Sequence, residues 1–406
     1  MARAAARTRI PERWVVVIAL FAVTACVSTS VSAFGVFLPV LSEAFGWPRG
    51  AVSVALSINL FLGGVIAFGV ASVADRRGPR GVLTATVLVG AAGFVLTSAI
   101  QSLAQFYLVY GVFVGVGMSS IYVLSSATVA RWFVDRRGMA LAIVLSGFNL
   151  GWLLGGPFAA FLIERWGWRT AYVVLGLVVA GIGGPASRWV RYPDVAGAAS
   201  RAGRGAAPTV RASFRSALGD ARLWLLSASW FASGLTFMTV TVHSVPFAKD
   251  LGLTLDRAAL ALTAYGVGAA VGRLACGATA DRFGAAATMY GCVLAQALAL
   301  VALLTGPPAW GLVAVLVVFG VGAAGADTAF VKVVPDVFGL AALASVMSLV
   351  GLGWRAGAAV GPAAAGFLYD VTGSYQIPFA GALATLLLGG ALFAVGARAA
   401  EPARAG

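Results

Sequence analysis

The sequence predicts an all-α membrane protein with twelve transmembrane helices in two similar six-helix bundles. Composition is the first observation: apolar residues fill 60% of 406 positions and charged residues only 10%, with a mean hydropathy of +0.94. A soluble domain carries about 45–50% apolar and about 25% charged residues, so no water-soluble core hides this much apolar surface. Second, the chain divides into twelve apolar windows of about 20 residues, the length a helix needs to cross hydrocarbon. Third, landmarks of the first half return in the second at a nearly constant offset. The alternating segments of roughly ten residues that mark a transmembrane β-barrel do not occur.

The first span, Trp14–Val40, follows a basic start (Arg3, Arg7, Arg9, Arg13). Its apolar run is far longer than the roughly 7–15 residues of a signal-peptide core, so it reads as a retained helix. Ala51–Ala74 ends on Asp75-Arg76-Arg77-Gly78-Pro79-Arg80; Gly81–Ile100 and Ala104–Ala130 follow, the latter ending on Arg131 to Gly138. Met139–Ile163 carries Gly156-Pro157 and is followed by Glu164; Thr170–Val190 completes the first set. Residues 191–222 are Ala/Gly-rich, seeded with arginine and short of large apolar groups, which reads as a flexible connector with a short amphipathic piece at Phe214–Leu218. The second set is Leu223–Phe247, Ala258–Ala280, Ala285–Leu304, Trp310–Val331, Leu340–Leu368 and Gln376–Val395. The expected organisation is a bundle over 1–190, a cytoplasmic linker over 191–222 and a bundle over 223–406.

The formal net charge of +14 raises nucleic-acid binding, and the distribution of charge argues against it. Arginine and lysine gather at both termini, after the even-numbered spans and in the connector. The opposite side holds only Arg49, Arg165, Arg169, Lys249 and Arg257. By the positive-inside rule both termini are cytoplasmic. Cys26, Cys276 and Cys292 all fall in apolar spans and imply no disulfide framework.

Asp75-Arg-Arg-Gly78 returns as Asp281-Arg-Phe-Gly284, an offset of 206; Asp135-Arg-Arg-Gly138 returns as Asp336-Val-Phe-Gly339, an offset of 201. Gly156-Pro157 returns as Gly361-Pro362, an offset of 205, each followed by small residues and an acid, Glu164 or Asp370. Parallel repeats of six helices place a binding site between the halves near the membrane midplane, with access alternating as the halves rock. The paired glycines of the fifth and eleventh spans (Gly151, Gly155, Gly156; Gly353, Gly357, Gly361) read as close-packing positions.

Over nearly its whole length the chain resembles the major facilitator superfamily, whose loop signature is Gly-x3-Asp-Arg/Lys-x-Gly-x-Arg/Lys. Gly277-x3-Asp281-Arg282-Phe283-Gly284 fits but lacks the trailing base; Asp75-Arg76-Arg77-Gly78-Pro79-Arg80 keeps the loop with Ala71 in place of the leading glycine. The resemblance implies gating loops at Asp75, Arg76, Gly78, Arg80, Asp281, Arg282 and Gly284, in which the charged pair latches one helix end to a neighbour. Three stretches resemble the bacterial monocarboxylate-transporter and oxalate/formate-exchanger branch: Gly35 to Trp47, Arg131 to Ala140, and Val242-His-Ser-Val-Pro246, followed by Arg273. Drug exporters carry an arginine in the fourth span; Tyr110-Gly-Val-Phe-Val-Gly offers none. In the resembled branch an arginine of the eighth span pairs with the substrate carboxylate, and Arg273 falls there. Animal members carry an acid four residues earlier; Ala269 stands there instead, so their proton coupling does not transfer. The exchanger's second cation lies in the eleventh span, as Arg355 does here.

Independently of resemblance, Arg273, Arg355 and Asp327 are the ionisable groups well inside apolar spans, and such groups are functional-site candidates because an unpartnered charge in hydrocarbon costs several kcal/mol. A guanidinium meets a carboxylate bidentately and stays ionised when partly desolvated. Asp327, five residues before Lys332, is placed in the inner third; it either neutralises an arginine or carries the coupling proton. Tyr122 and Asn149 are candidate substrate contacts, each with a packing role as the alternative. His243, the only histidine, is either a proton carrier or a packed helix-end residue. Asp250 reads as a loop acid.

The expected function is secondary transport of a small organic anion, by proton-coupled monocarboxylate symport in the bacterial cytoplasmic membrane. Dicarboxylate/monocarboxylate exchange is the alternative, and export of another small solute or a non-transporting sensor role are remoter ones. One histidine, one acid deep in a span and no metal-ligand motif leave little for an enzyme to work with, and no cofactor is implied. The partners are a small carboxylate, a proton and the bilayer, with no nucleic acid, and the fold-level expectation is a monomer.

Overall fold

Backbone in hydrocarbon must satisfy its own polar groups, and apolar runs do so as helices. The computed structural model describes residues 11–133, 137–193, 218–338 and 343–398. Most of the expected connector, including Phe214 to Ala217 of its amphipathic piece, lies outside these residues, as do Asp135, Arg136 and Gly339 of the second repeated landmark.

Among the described residues the chain forms twelve helices. The first four are α1 (Glu12–Phe45), α2 (Arg49–Arg77), α3 (Pro79–Thr97) and α4 (Leu103–Trp132). α5 (137–166) and α6 (168–187) run on from each other and are separated only by Gly167, whose φ of 78° breaks the helical path. The second half contains α7 (Ala221–Asp250), α8 (Leu255–Phe283), α9 (Ala285–Leu304), α10 (Ala309–Phe338), α11 (Leu343–Thr372) and α12 (Gln376–Arg398). α7 begins at Asp220, whose carboxylate accepts from the Arg222 backbone N–H at 2.9 Å. Each expected span coincides with one helix, mostly longer by a few residues. The largest extension is α10, which runs to Phe338 rather than ending near Val331. Wide π-type turns at Tyr107–Val114 and Val179–Gly183 were not legible in the apolar pattern.

The two halves pack alike. α1 lies along α5 as α7 lies along α11, and α2 along α4 as α8 along α10. Between the halves the same relation holds crosswise, with α2 against α11 and α8 against α5. Close approaches between the halves include several toward one end, outer by the charge-based expectation. There a Cβ on Gly35 would sit 2.9 Å from the Val242 carbonyl, one on Gly366 would sit 2.6 Å from Gly50 Cα, and one on Gly156 would sit 2.8 Å from the Ala259 carbonyl. Without a hydrophobic drive between helices, such small-residue contacts hold the bundle together.

Candidate functional site

Counted from the inner ends of their own helices, five candidate residues fall at similar positions. Tyr122 lies 10 residues from the inner end of α4, Asn149 12 from that of α5, Arg273 10 from that of α8, Asp327 11 from that of α10 and Arg355 12 from that of α11. At about 1.5 Å rise per residue this is roughly 15–18 Å along each helix, a loosely level layer. α10 continues six residues beyond Lys332, so Asp327 sits deeper in its own helix than in the bundle: Val321 packs on Gly272 and Gly325 on Cys276, which sets Asp327 inward of Arg273, consistent with the expected inner-third placement.

Within the layer the charges converge. The Arg273 guanidinium approaches the Asp327 carboxylate at 3.8 Å, a loose ion pair beyond hydrogen-bond range, and buried Arg273 Nε has no partner. Their side chains keep 36% and 46% of their surface accessible, so the pair is not closed off by protein. Tyr122 of the first half, half-exposed, stands within electrostatic reach of Asp327, Arg355 and Arg273 of the second half. Arg355 packs its stem near Gly64 of α2, where an added Cβ would lie 3.2 Å from Cδ. It forms no ion pair with any described residue. Asn149 sits one turn inward of Leu153, whose carbonyl accepts from Thr263 Oγ1 of α8 at 2.9 Å. Asn149 thus shares the layer and the face toward α8, without a hydrogen bond to the arginines.

His243 lies elsewhere. It is fully buried near the outer end of α7. Its Nε2 donates to the Pro362 carbonyl at 2.9 Å, which leaves Nδ1 to accept from the Tyr375 hydroxyl at 3.0 Å. That hydroxyl in turn accepts from Arg49 Nη1 at 3.0 Å. Burial pushes the Tyr375 phenol above its ordinary pKa, so it remains a donor to the imidazole.

Arg49 is the hub of a latch between the halves. Its guanidinium makes a two-pronged pair with Asp250 at 2.7 Å on each prong and lies 4.1 Å above the Tyr369 ring. Asp250, read from sequence as a loop acid, is thus a cross-half partner. Asp370 accepts from the backbone N–H groups of Arg49 and Gly50 at 2.8 and 2.7 Å, capping the start of α2 from the other half. Glu164 does the reciprocal thing, accepting at 3.0 Å from the Asp256 N–H at the start of α8. Lys249 pairs with Glu43 at 2.6 Å. Among the described residues every ion pair between the halves lies at this end.

At the inner end the pairs stay within each half. Asp75 binds Arg131 at 2.8 Å, and Arg131 stacks 3.7 Å over Tyr192; in the repeat, Asp281 binds Lys332. Gly78 (φ 83°, ψ 159°) and Gly284 (φ 90°, ψ 152°) adopt the same left-handed turn, which L-residues with a Cβ rarely enter. Arg76, Arg80 and Arg282 lie on the same turns without ion-pair partners among the described residues. Among the described residues, ion pairs and caps thus join the halves at the outer end, while the Arg273–Asp327 pair keeps accessible surface.

A ring cluster lies at and just outward of the layer, with Trp354 next to Arg355, and sequence reading missed it. Trp152 of α5 meets Phe237 of α7 at 5.6 Å and Tyr265 of α8 at 5.4 Å; Phe237 meets Tyr265 at 5.4 Å and Trp354 of α11 at 5.8 Å. Tyr265 is within electrostatic reach of Asp327 and Arg273. Its only signal in the sequence was a spacing of eight from Arg273, two turns along one face of α8.

The family model of the Major Facilitator Superfamily matches residues 20–256 and 238–406. Human monocarboxylate transporter 11 is 26% identical over 403 residues, covering 96% of this chain and 83% of its own, and bovine monocarboxylate transporter 13 is 27% identical, covering 93% and 87%. An uncharacterised MFS-type transporter of Bacillus subtilis, YcxA, is 26% identical over 70% of this chain and 69% of its own. Among solved structures, a bacterial homologue of the human lysosomal transporter Spinster, inward-facing and unoccupied, superposes with a TM-score of 0.73 at 15% identity, covering 96% of each chain.

Proposed function

The chain belongs to the Major Facilitator Superfamily, and from that premise we propose that it is a secondary active transporter of small organic anions, working by proton-coupled monocarboxylate symport. The observation that carries this reading is the pair of arginines in one layer between the halves, with donors left unpaired and a single, accessible acid beside them. Two guanidinium groups and one carboxylate leave the layer one positive charge, which an entering carboxylate neutralises. At 3.8 Å and an effective dielectric of about 20, Arg273 and Asp327 attract each other by about 4 kcal/mol, less where water screens them. A substrate carboxylate seated two-pronged on Arg273 replaces that attraction, and protonation of Asp327 removes the competitor. Proton and anion then cross together, with no net charge moved.

Tyr122 and Asn149 contact substrate from the first half, and Arg273 and Arg355 from the second, so that the bound anion draws the halves together. His243 belongs to the outer latch, where both ring nitrogens are already engaged. The bundles are 1–190 and 223–406, joined by the 191–222 connector; both termini face the cytoplasm of a bacterial cell, and the carrier acts as a monomer in the inner membrane. Alternation consists of breaking the outer latch while the Asp75 and Asp281 turns close the inner side. Dicarboxylate/monocarboxylate exchange is the second reading, supported by Arg355 lying at a position in its helix similar to that of Arg273, with no acid of its own.

The test is uptake of labelled monocarboxylates into proteoliposomes under an imposed proton gradient. Arg273→Ala is expected to lower uptake at least a hundredfold; full uptake by that variant would refute the site.

A further inference from the structure

We infer that Cys276 and Cys292 form a modification site, a dithiol that a hydroperoxide closes to a disulfide, pinning α8 to α9 beside the Arg273–Asp327 pair and slowing transport. The effect on transport rests on the carrier reading; the site itself does not. α8 and α9 are joined through Gly284 alone, whose φ of 90° turns the chain back on itself. Each cysteine stands eight residues from that turn, and their sulfurs meet across the hairpin at 3.6 Å in a weak S–H···S contact. Nearer the turn the Thr279 and Thr288 hydroxyls meet at 3.5 Å, so the register is held at two rungs. The remaining cysteine, Cys26, is buried in the first half with its sulfur bonded to the Val23 carbonyl.

Reactive thiols occupy partly exposed settings beside cations, and Cys276 has one. It is half-buried, Arg273 lies one turn outward on α8, and the carbonyl of the next residue, Gly277, accepts from the Lys332 ammonium at 3.3 Å. Its sulfur takes one oxygen of hydrogen peroxide as the O–O bond breaks, giving a sulfenic acid, and the other oxygen leaves as water with the thiol proton. The Cys292 sulfur then attacks the sulfenic sulfur; the S–O bond breaks, and a second water carries off the hydroxyl with the Cys292 proton. Two thiols and one peroxide thus give one disulfide and two waters. The sulfurs close from 3.6 Å to about 2.0 Å. Gly325 of α10 lies directly against both of them: a Cβ there would overlap Cys276 Sγ and stand 2.7 Å from Cys292 Sγ. Cys276 is one turn from Arg273, and Gly325 is two residues from Asp327. Closing the sulfurs therefore shifts the backbone that carries both members of the 3.8 Å ion pair. It also ties α8, which packs far more along α10 than along α9, to a second neighbour.

Treatment of the full chain in proteoliposomes with hydrogen peroxide, followed by alkylation of free thiols and peptide mass analysis, tests the site. The Cys276 and Cys292 peptides are expected to appear linked, lighter than their sum by two hydrogens, while Cys26 remains free for alkylation. Uptake of a labelled monocarboxylate should fall at least fivefold and return with dithiothreitol. Cys276→Ser and Cys292→Ala, expected within threefold of the parent before treatment, should lose less than twofold on treatment. Both cysteines still alkylated, or oxidised singly to sulfinic acid without a link, would overturn the modification site, and this measurement on the parent needs no folded variant. A linked pair with undiminished uptake would overturn its hold on Arg273 and Asp327, as would equal loss of uptake in the parent and Cys292→Ala. No uptake by the untreated parent would overturn the carrier reading, and with it the effect on transport, while the peptide masses still decide the site.

Discussion

Asp370→Asn is expected to release the outer latch. The carboxylate accepts two backbone N–H bonds, at 2.8 and 2.7 Å, from the first residues of α2, and α2 belongs to the opposite half. A hydrogen bond to a charged group contributes about 1.5–3 kcal/mol. A negative charge at a helix N-terminus adds about 0.3–1 kcal/mol. The amide keeps one acceptor, and solvent exposure lowers both figures, so a net loss of about 2 kcal/mol is reasonable. At about 1.4 kcal/mol per tenfold, that moves the equilibrium between outer-closed and outer-open states roughly thirtyfold. Glu164→Gln removes the reciprocal cap, a single exposed bond of 3.0 Å, and should move it only about fivefold. Because the two sites lie on different helix pairs, their effects should add. Spin labels at Trp166→Cys and Leu251→Cys, in a chain with Cys26, Cys276 and Cys292 replaced, report the distance across the outer end by pulsed electron resonance. Distance distributions identical in Asp370→Asn and the parent would refute the latch.

Three further outcomes are expected. Gly366→Ala places a methyl 2.6 Å from Gly50 Cα and should hold the outer end ajar, raising labelling of outer cysteines by an impermeant thiol reagent; unchanged labelling would count against close packing there. Asp327→Asn should cut gradient-driven uptake more than tenfold while exchange at equal pH stays within threefold, and retained gradient response would make Asp327 a structural partner only. His243→Gln leaves a buried hydroxyl and carbonyl poorly paired, at a cost of about 1–3 kcal/mol. It should lower the thermal midpoint yet leave proton coupling intact, and loss of coupling with normal stability would return His243 to the transport path.

The sequence made the helices legible because hydrocarbon imposes one rule on every span, a run of about 20 apolar residues, and the chain obeys it with few exceptions. Arg273 and Arg355 stood out for the same reason: charge inside such a run has no structural excuse. Asp327 stood out likewise, and its depth was legible from Lys332, whose ammonium pairs with Asp281 at the inner end of α8. Tyr265 and Trp152 were hidden because an aromatic in an apolar span carries no mark that separates a ring packed between the halves from lipid-facing bulk. Asp250 was hidden because its partner, Arg49, lies 201 residues away in the other half.

The latch shows how more could have been read. The repeat offset of 206 that relates Asp75 to Asp281 also relates Glu164 to Asp370 and Gly50 to Asp256. Glu164 and Asp370 follow the prolines of their Gly-Pro pairs by seven and eight residues, and Gly50 and Asp256 each lie at the start of a helix whose first N–H groups need acceptors. Within one half, Glu164 would have to cap α2, at Gly50; across halves it caps α8, at Asp256. In the structure both acids choose the crosswise partner. A twofold-related pair of such caps resists separation at two points equidistant from the axis, so the halves can part only by rocking both open together. That geometry makes the outer end a two-state element rather than a hinge that loosens by degrees, which is the behaviour alternating access requires.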